Sequence, residues 1–349
     1  MNGSAKLFAH AGTAGLILFA VGCSDNPTGP PQPSVSTLTV NAEEGWTYVT
    51  LGDPSATVSP SDPETSTVWE LGFFATSVML NGGAAGPGGV VGYCLCQHAG
   101  ATDADIQAMT AESELEDFLA VTTAQLPAAD SLWRSDALVP AIDDWYAYDH
   151  ATHTVSAAPE MVWKVRGAGE DPAFAKFHVL EIENPSRENA GQVTFEFALQ
   201  PSAGAAMGEP QSLTVDLSSG APVYFDLETS AVSGASDWDL LFEGYTIRIN
   251  GGVSGEGGAG ASLAAGAFDE ITDASDLSAR HYRGDAFGGV FDEHRWYRYN
   301  LAGNHQIWPT FDVFLVKRGA EVYKLQLINY YSDTGEARHI TFRYAKLEG

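Results

Sequence analysis

Hydrophobic and polar positions alternate with period two along much of this chain, and the longest such stretch, Trp238 to Gly252, occurs twice. Its echo is Trp69 to Gly83, 169 residues upstream. Both copies run Trp, acid, Leu, a variable residue and Phe, then alternating apolar positions, then Asn-Gly-Gly. Period-two alternation predicts a strand with one buried face. The phase slips midway: Trp238, Leu240 and Phe242 share one parity, while Tyr245, Ile247 and Ile249 share the other. In the upstream copy Trp69, Leu71 and Phe73 are odd, and Val78 and Leu80 are even. A β-bulge at Gly244 would return both apolar sets to one side. The repeated irregularity marks a duplicated β-unit.

The duplication extends in both directions. Leu38–Asn41 and Leu213–Asp216 open the two copies as alternating strands, followed by Trp46–Leu51 and Val223–Leu227. Beyond Asn-Gly-Gly, Phe118–Ala124 aligns with Phe268–Ala274, which leaves 19 extra residues in the first copy between Gly83 and Phe118. That insertion contains Cys94, Cys96, His98 and Met109. The Glu, Leu and Ala of Ala111–Ala124 predict a short helix. Trp133, Arg134, Asp136 and Ala137 then align with Tyr282, Arg283, Asp285 and Ala286, and Trp145 and Tyr148 with Trp296 and Tyr299. Each copy closes with three strands: Met161–Val165, Phe174–Leu180 and Val193–Phe197 against Val313–Val316, Val322–Ile328 and Ile340–Tyr344. Short polar turns between sequential strands predict an antiparallel meander. The expected fold is all-β, sandwich-like, with two tandem domains at 38–200 and 211–349 and a short helix in the first.

A length of 349 residues accommodates two such domains. The net charge of −28 excludes nucleic acid and electrostatic docking on anionic lipid, because no basic stripe exists to replace counterions. Three cysteines are too few for a disulfide scaffold. For Cys94 and Cys96, a local disulfide, free thiols and part of a metal site all remain open. Residues 1–22 carry Lys6 and the apolar run Leu16–Gly22, a pattern of a secretory signal and not of a membrane span. Ending at Cys23, it resembles a bacterial lipoprotein signal in which Cys23 becomes the acylated first residue, with Ala20 at a place where Leu is commoner. Residues 23–37 form a Pro-rich tether.

The Trp-Asp-Leu-Leu-Phe stretch with its Asn-Gly-Gly, the Trp-Tyr-x-Tyr segment and the closing hairpin together resemble the HmuY family of bacterial haem-binding lipoproteins. The likeness spans Leu213 to Leu347 and is weaker in the first copy. It implies an all-β domain, lipid-anchored at the outer membrane or cell surface. There it captures haem and passes it to a TonB-dependent outer-membrane receptor. It also implies two axial His or Met ligands from loops. Haem iron takes a neutral imidazole or thioether on each face, with apolar surface for the porphyrin. His281, His294 and His305 lie among Tyr282, Phe287, Phe291, Trp296, Tyr297 and Trp308, and form the leading candidate set. In the first copy Leu132 occupies the place of His281, and His153 matches His305, with His98 as a further candidate. A non-binding adhesive or structural surface module is the alternative reading.

No catalytic residues are expected. Gly255, Gly257 and Gly260 match a dinucleotide fingerprint by spacing, but a meander lacks the βαβ context which that chemistry needs. Acid pairs such as Asp143-Asp144 are abundant in so acidic a chain, and His150 and His153 read as a loop pair.

Overall fold

The computed structural model describes residues 34–52, 55–276 and 282–348. The signal, Cys23 and His281 lie outside the described residues. No described helix is long and apolar enough to cross a membrane.

Twelve strands appear in one order and then again. The first series is β1 (Ser36–Asn41), β2 (Thr47–Thr50), β3 (Ala56–Val58), β4 (Leu71–Phe74), β5 (Ser77–Leu80), β6 (Val90–Cys94), β7 (Ala137–Val139), β8 (Tyr146–Asp149), β9 (Thr154–Ala157), β10 (Trp163–Arg166), β11 (Phe174–Glu183) and β12 (Gln192–Gln200). The second is β13 (Gln211–Asp216), β14 (Val223–Asp226), β15 (Ala231–Ser233), β16 (Leu240–Glu243), β17 (Thr246–Ile249), β18 (Gly260–Leu263), β19 (Ala286–Gly288), β20 (Tyr297–Tyr299), β21 (Ile307–Pro309), β22 (Val313–Arg318), β23 (Glu321–Tyr331) and β24 (Ala337–Lys346). Helices are few: α1 (Asp103–Ala108), α2 (Leu115–Ala120) and α3 (Val290–Glu293). The all-β expectation holds.

The Trp stretch is not one bulged strand. It is a hairpin, β4–β5 in one copy and β16–β17 in the other, turning at Ala75-Thr76 and Gly244-Tyr245. Ala75 and Gly244 both take positive φ, 50° and 60°, at the first turn position. Antiparallel pairing sets Leu71 opposite Leu80 and Phe73 opposite Val78. Residues of opposite parity therefore face the same core, and the phase slip is the turn itself. The expected helix over 111–124 also contracts, to α2. Thr110 and Ser113 exchange backbone-to-hydroxyl bonds of 3.0 Å on one side. On the other, Thr122 caps a separate 3-10 turn at Thr123–Gln125. Such local side-chain bonds compete with helix continuation.

Two compact units result, and they are cut differently from the expected domains 38–200 and 211–349. Counting the described residues, unit 1 runs over 34–82, 86–135 and 290–348, and unit 2 over 83–85 and 136–289. Unit 1 contains a five-stranded sheet β1-β24-β23-β22-β6, a four-stranded sheet β3-β2-β4-β5 and the hairpin β20-β21. Unit 2 contains β13-β12-β11-β10-β18, then β15-β14-β16-β17, the hairpin β8-β9 and the pair β19-β7. Each unit thus joins the first half of one sequence copy to the second half of the other. The physical reason is register equivalence: β6 pairs with β22 as β18 pairs with β10, and both copies offer matching alternation.

The two cores are correspondingly alike. Phe73 stacks on Phe342 in unit 1, with centroids 5.3 Å apart, and Phe242 on Phe195 in unit 2 at 5.0 Å. The repeated pattern of polar residues in the two copies is structural. Asn81 and Asn250 receive the amides of Gly88 and Gly257 on Oδ1 and donate Nδ2 to the carbonyls of Trp69 and Trp238. A Cβ on Gly255 would sit 2.1 Å from Asn250 Oδ1 and one on Gly260 2.8 Å from Tyr282 Cβ, so the fingerprint-like glycines are clearance for these side chains. Buried Glu70 and Asp239 accept from the amides of Leu51 and Leu227. Lys324 and Lys176 lie over the rings of Phe118 and Phe268 while donating to their carbonyls.

Candidate functional site

The two short hairpins carry matched imidazoles at their tips. In unit 1, β20 and β21 pair from Tyr297↔Pro309 to Tyr299↔Ile307. The connecting turn holds His305 in a left-handed conformation, φ 59°, with its amide on Asn300 Oδ1 at 2.7 Å. Tyr299 Oη lies 2.7 Å from His305 Nδ1. In unit 2, β8 and β9 pair from Tyr146↔Ala157 to Asp149↔Thr154. His153 there has φ 57°, and its Nδ1 lies 2.7 Å from Tyr148 Oη. His150 packs edge-on against Tyr148, with centroids 4.9 Å apart. Both His153 and His305 are exposed. Each ring has Nδ1 fixed by a tyrosine hydroxyl, which leaves Nε2 as the nitrogen able to ligate. A ligating histidine is ordinarily oriented by a hydrogen bond at its other nitrogen.

His294 occupies a different place. It lines a cavity of about 230 Å³ in unit 1 together with Cys96, His98, Tyr297, Thr310 and Asp312. His98 donates its amide to Asp312 Oδ1 at 2.9 Å, and its Nε2 lies 3.2 Å from Glu114 Oε2 and 3.8 Å from Asp117 Oδ2. His98 Nδ1 and Thr310 Oγ1 are buried without a hydrogen-bond partner. Met109, at the C-terminal end of α1, does not line this cavity. Cys94 and Cys96 form a disulfide, which decides among the three states left open by the sequence. Their sulfurs and a His294 ring nitrogen lie within 4.8 Å of one another.

Of the described members of the leading set, His294 and His305 are not brought together on one feature. His294 and His305 belong to unit 1, on separate features. His281 lies outside the described residues, and its described flanks, Asp276 and Tyr282, belong to unit 2 with His153. Leu132, at the position equivalent to His281, is an exposed apolar residue in unit 1, 42% accessible. The Tyr–His contacts escaped the sequence reading, although a tyrosine five or six residues before each histidine was visible in both copies. The carboxylates around His98 are separated from it by up to 214 residues and left no local signal.

Residues 216–344 match the family model described as HmuY protein. That span runs from the end of β13 to β24, the second sequence copy, and supplies strands to both units. No curated protein matches the chain. One similar solved structure, from Bacteroides vulgatus, is described as HmuY-like and heme binding; it shares 13% identity, covers 44% of this chain and 91% of its own, and has a TM-score of 0.17. Another, from Bacteroides fragilis, is described as a lipoprotein, with 15% identity, 47% and 93% coverage and a TM-score of 0.17. Over residues 216–344 the chain is similar to the HmuY family.

Proposed function

We propose that this is a haem-binding lipoprotein, anchored through Cys23 at the outer membrane or cell surface, that captures haem as cargo for a TonB-dependent outer-membrane receptor. The observation that carries the reading is the pair of hairpin-tip imidazoles, His153 and His305, each with Nδ1 held by tyrosine and Nε2 left for a ligand. Iron in haem takes an axial ligand on each face, so one such imidazole needs a second donor.

The exchange of halves supports a specific pairing. In unit 2, His153 shares its unit with the chain that flanks His281. In unit 1, His305 shares its unit with Leu132, which has no donor atom. The reading takes His153 and His281 as the axial pair, for one haem per chain. His294 and His98 are not needed for it.

The test is a haem titration of the full chain followed by the Soret band. Saturation at one equivalent is expected, with the shift lost in His153→Ala and in His281→Ala and retained in His305→Ala. A shift lost only in His305→Ala overturns the pairing, and no shift at all overturns the haem reading. Palmitate labelling that vanishes in Cys23→Ala checks the anchor separately.

A further inference from the structure

The Cys94–Cys96 disulfide contributes little to the fold. It joins residues only two apart, and stabilisation by cross-linking grows with the length of the loop closed. Strand β18 takes the same place in unit 2, paired to β10 as β6 is to β22, and has no cysteine. The bond can therefore open without dismantling its sheet. Around it, the chemistry is concentrated. Cys94 is 6% exposed at the end of β6, Cys96 is half-buried on the cavity wall with φ 49°, and exposed His294 faces both. Two sulfurs and an imidazole nitrogen within 4.8 Å of one another are the donors of a Cys2His site.

We propose that this corner of unit 1 is a redox-gated site for Zn2+, closed as the disulfide and formed on reduction. The opening step uses a dithiol reductant. One of its thiolates attacks Cys96 Sγ, the S–S bond breaks and Cys94 departs as thiolate. The reductant's second thiol then displaces Cys96 and leaves as an intramolecular disulfide, so two electrons and two protons pass to the protein. Zn2+ binding releases those two protons and takes both thiolates and the neutral His294 ring. Zinc–sulfur bonds of about 2.3 Å and a tetrahedral angle set the sulfurs about 3.8 Å apart. The Cα atoms are 5.1 Å apart, so rotation of the side chains reaches that separation. Cys96 and His294 both line the 230 Å³ cavity, which leaves the fourth position to water. The proposal uses neither His153 nor His281 and stands apart from the haem reading.

Co2+ alone is the probe, applied by equilibrium dialysis to the full chain before and after dithiol reduction under anaerobic conditions. The reduced protein is expected to take one equivalent, with a near-ultraviolet thiolate-to-cobalt charge-transfer band and displacement by Zn2+. The oxidised protein, and reduced protein alkylated with iodoacetamide, are expected to lack the band. His294→Ala should weaken binding at least about tenfold, a floor set by what loss of even an orienting group costs. Because alkylation acts on folded wild-type protein, the result does not depend on whether a cysteine variant folds. Equal uptake in both redox states without a thiolate band, abolished by His98→Ala, would overturn the proposal and assign the metal to His98, Glu114 and Asp117. No uptake in the reduced state would overturn it as well.

Discussion

Substituting Asn81 by alanine tests the framework role assigned to the repeated Asn-Gly-Gly. Asn81 is fully buried, donates Nδ2 to Trp69 O and Ser66 O at 2.9 Å each, and accepts from Gly88 N at 2.9 Å. Alanine strands the buried Trp69 carbonyl at about 1–3 kcal/mol, while the part-buried Gly88 amide and Ser66 carbonyl are partly rehydrated and lose less. Partial collapse and water entry reduce the sum, so the expected loss is about 3 kcal/mol. Asn250 makes two of these three bonds and is only half-buried, so Asn250→Ala should cost about 1–2 kcal/mol. Exposed Asn304→Ala is the control and should stay within about 0.5 kcal/mol. Urea unfolding gives the magnitude from the midpoint at constant slope, and hydrogen exchange assigns it to unit 1 or unit 2. If Asn81→Ala matches the control, or costs less than Asn250→Ala, the polar pin is not what holds the hairpin.

Other outcomes follow from the same structure. Lys324 is fully buried and donates to the carbonyls of Phe118, Leu119 and Val121 at 2.9, 3.2 and 2.8 Å, whereas among the described residues Lys176 donates to that of Phe268 alone. Lys324→Met should therefore destabilise by about 2–4 kcal/mol and Lys176→Met by less, and a reversed order in urea unfolding refutes the account. Burial, then the neighbouring Asp239, push the Glu228 carboxyl above its usual range. The native state then keeps its proton after the unfolded chain has released it, so stability falls as pH rises from about 4.3 through the raised folded value. Glu228→Gln retains an acceptor for Ala173 N and should flatten that fall in a Tm-against-pH series; an unchanged slope counts against it. An isolated segment 211–349 loses β6 and β12 as partners of β22 and β13. It should still fold, with β18 on β22 and β13 on β24, as a monomer or an exchanged dimer by light scattering. An unfolded segment would refute the equivalence of the two strand series.

Much of the architecture was legible from alternation alone, because a half-buried strand imposes period two on its residues. Strands, hairpins and the duplication came from that signal. The parity slip was misread because a two-residue turn and a bulge shift phase alike; only the pairing of Leu71 with Leu80 distinguishes them. The exchange of halves was not legible, since β6 meets the same alternation on β22 that it would meet on β10. The candidate site suffered for the same reason. His281 and His305 are close in sequence, yet the described residues that flank them are divided between units. The Cys-Leu-Cys spacing permitted a disulfide without requiring one, and His294 lies 200 residues from Cys94.

The exchange also dictates an order of assembly. Apart from Gly83–Ala85, unit 2 is one continuous segment, and the pairing of Ala137 with Gly288 brings its two ends together. Unit 1 is split around it, and its last strand, β24, pairs with its first, β1. With unit 2 unfolded, unit 1 must close a loop of some 150 residues, an entropic cost of about 4–5 kcal/mol. Folding of unit 2 removes that cost, so unit 2 is expected to fold first and unit 1 to close after it. The native partner of the first strand after the tether is the last strand of the chain.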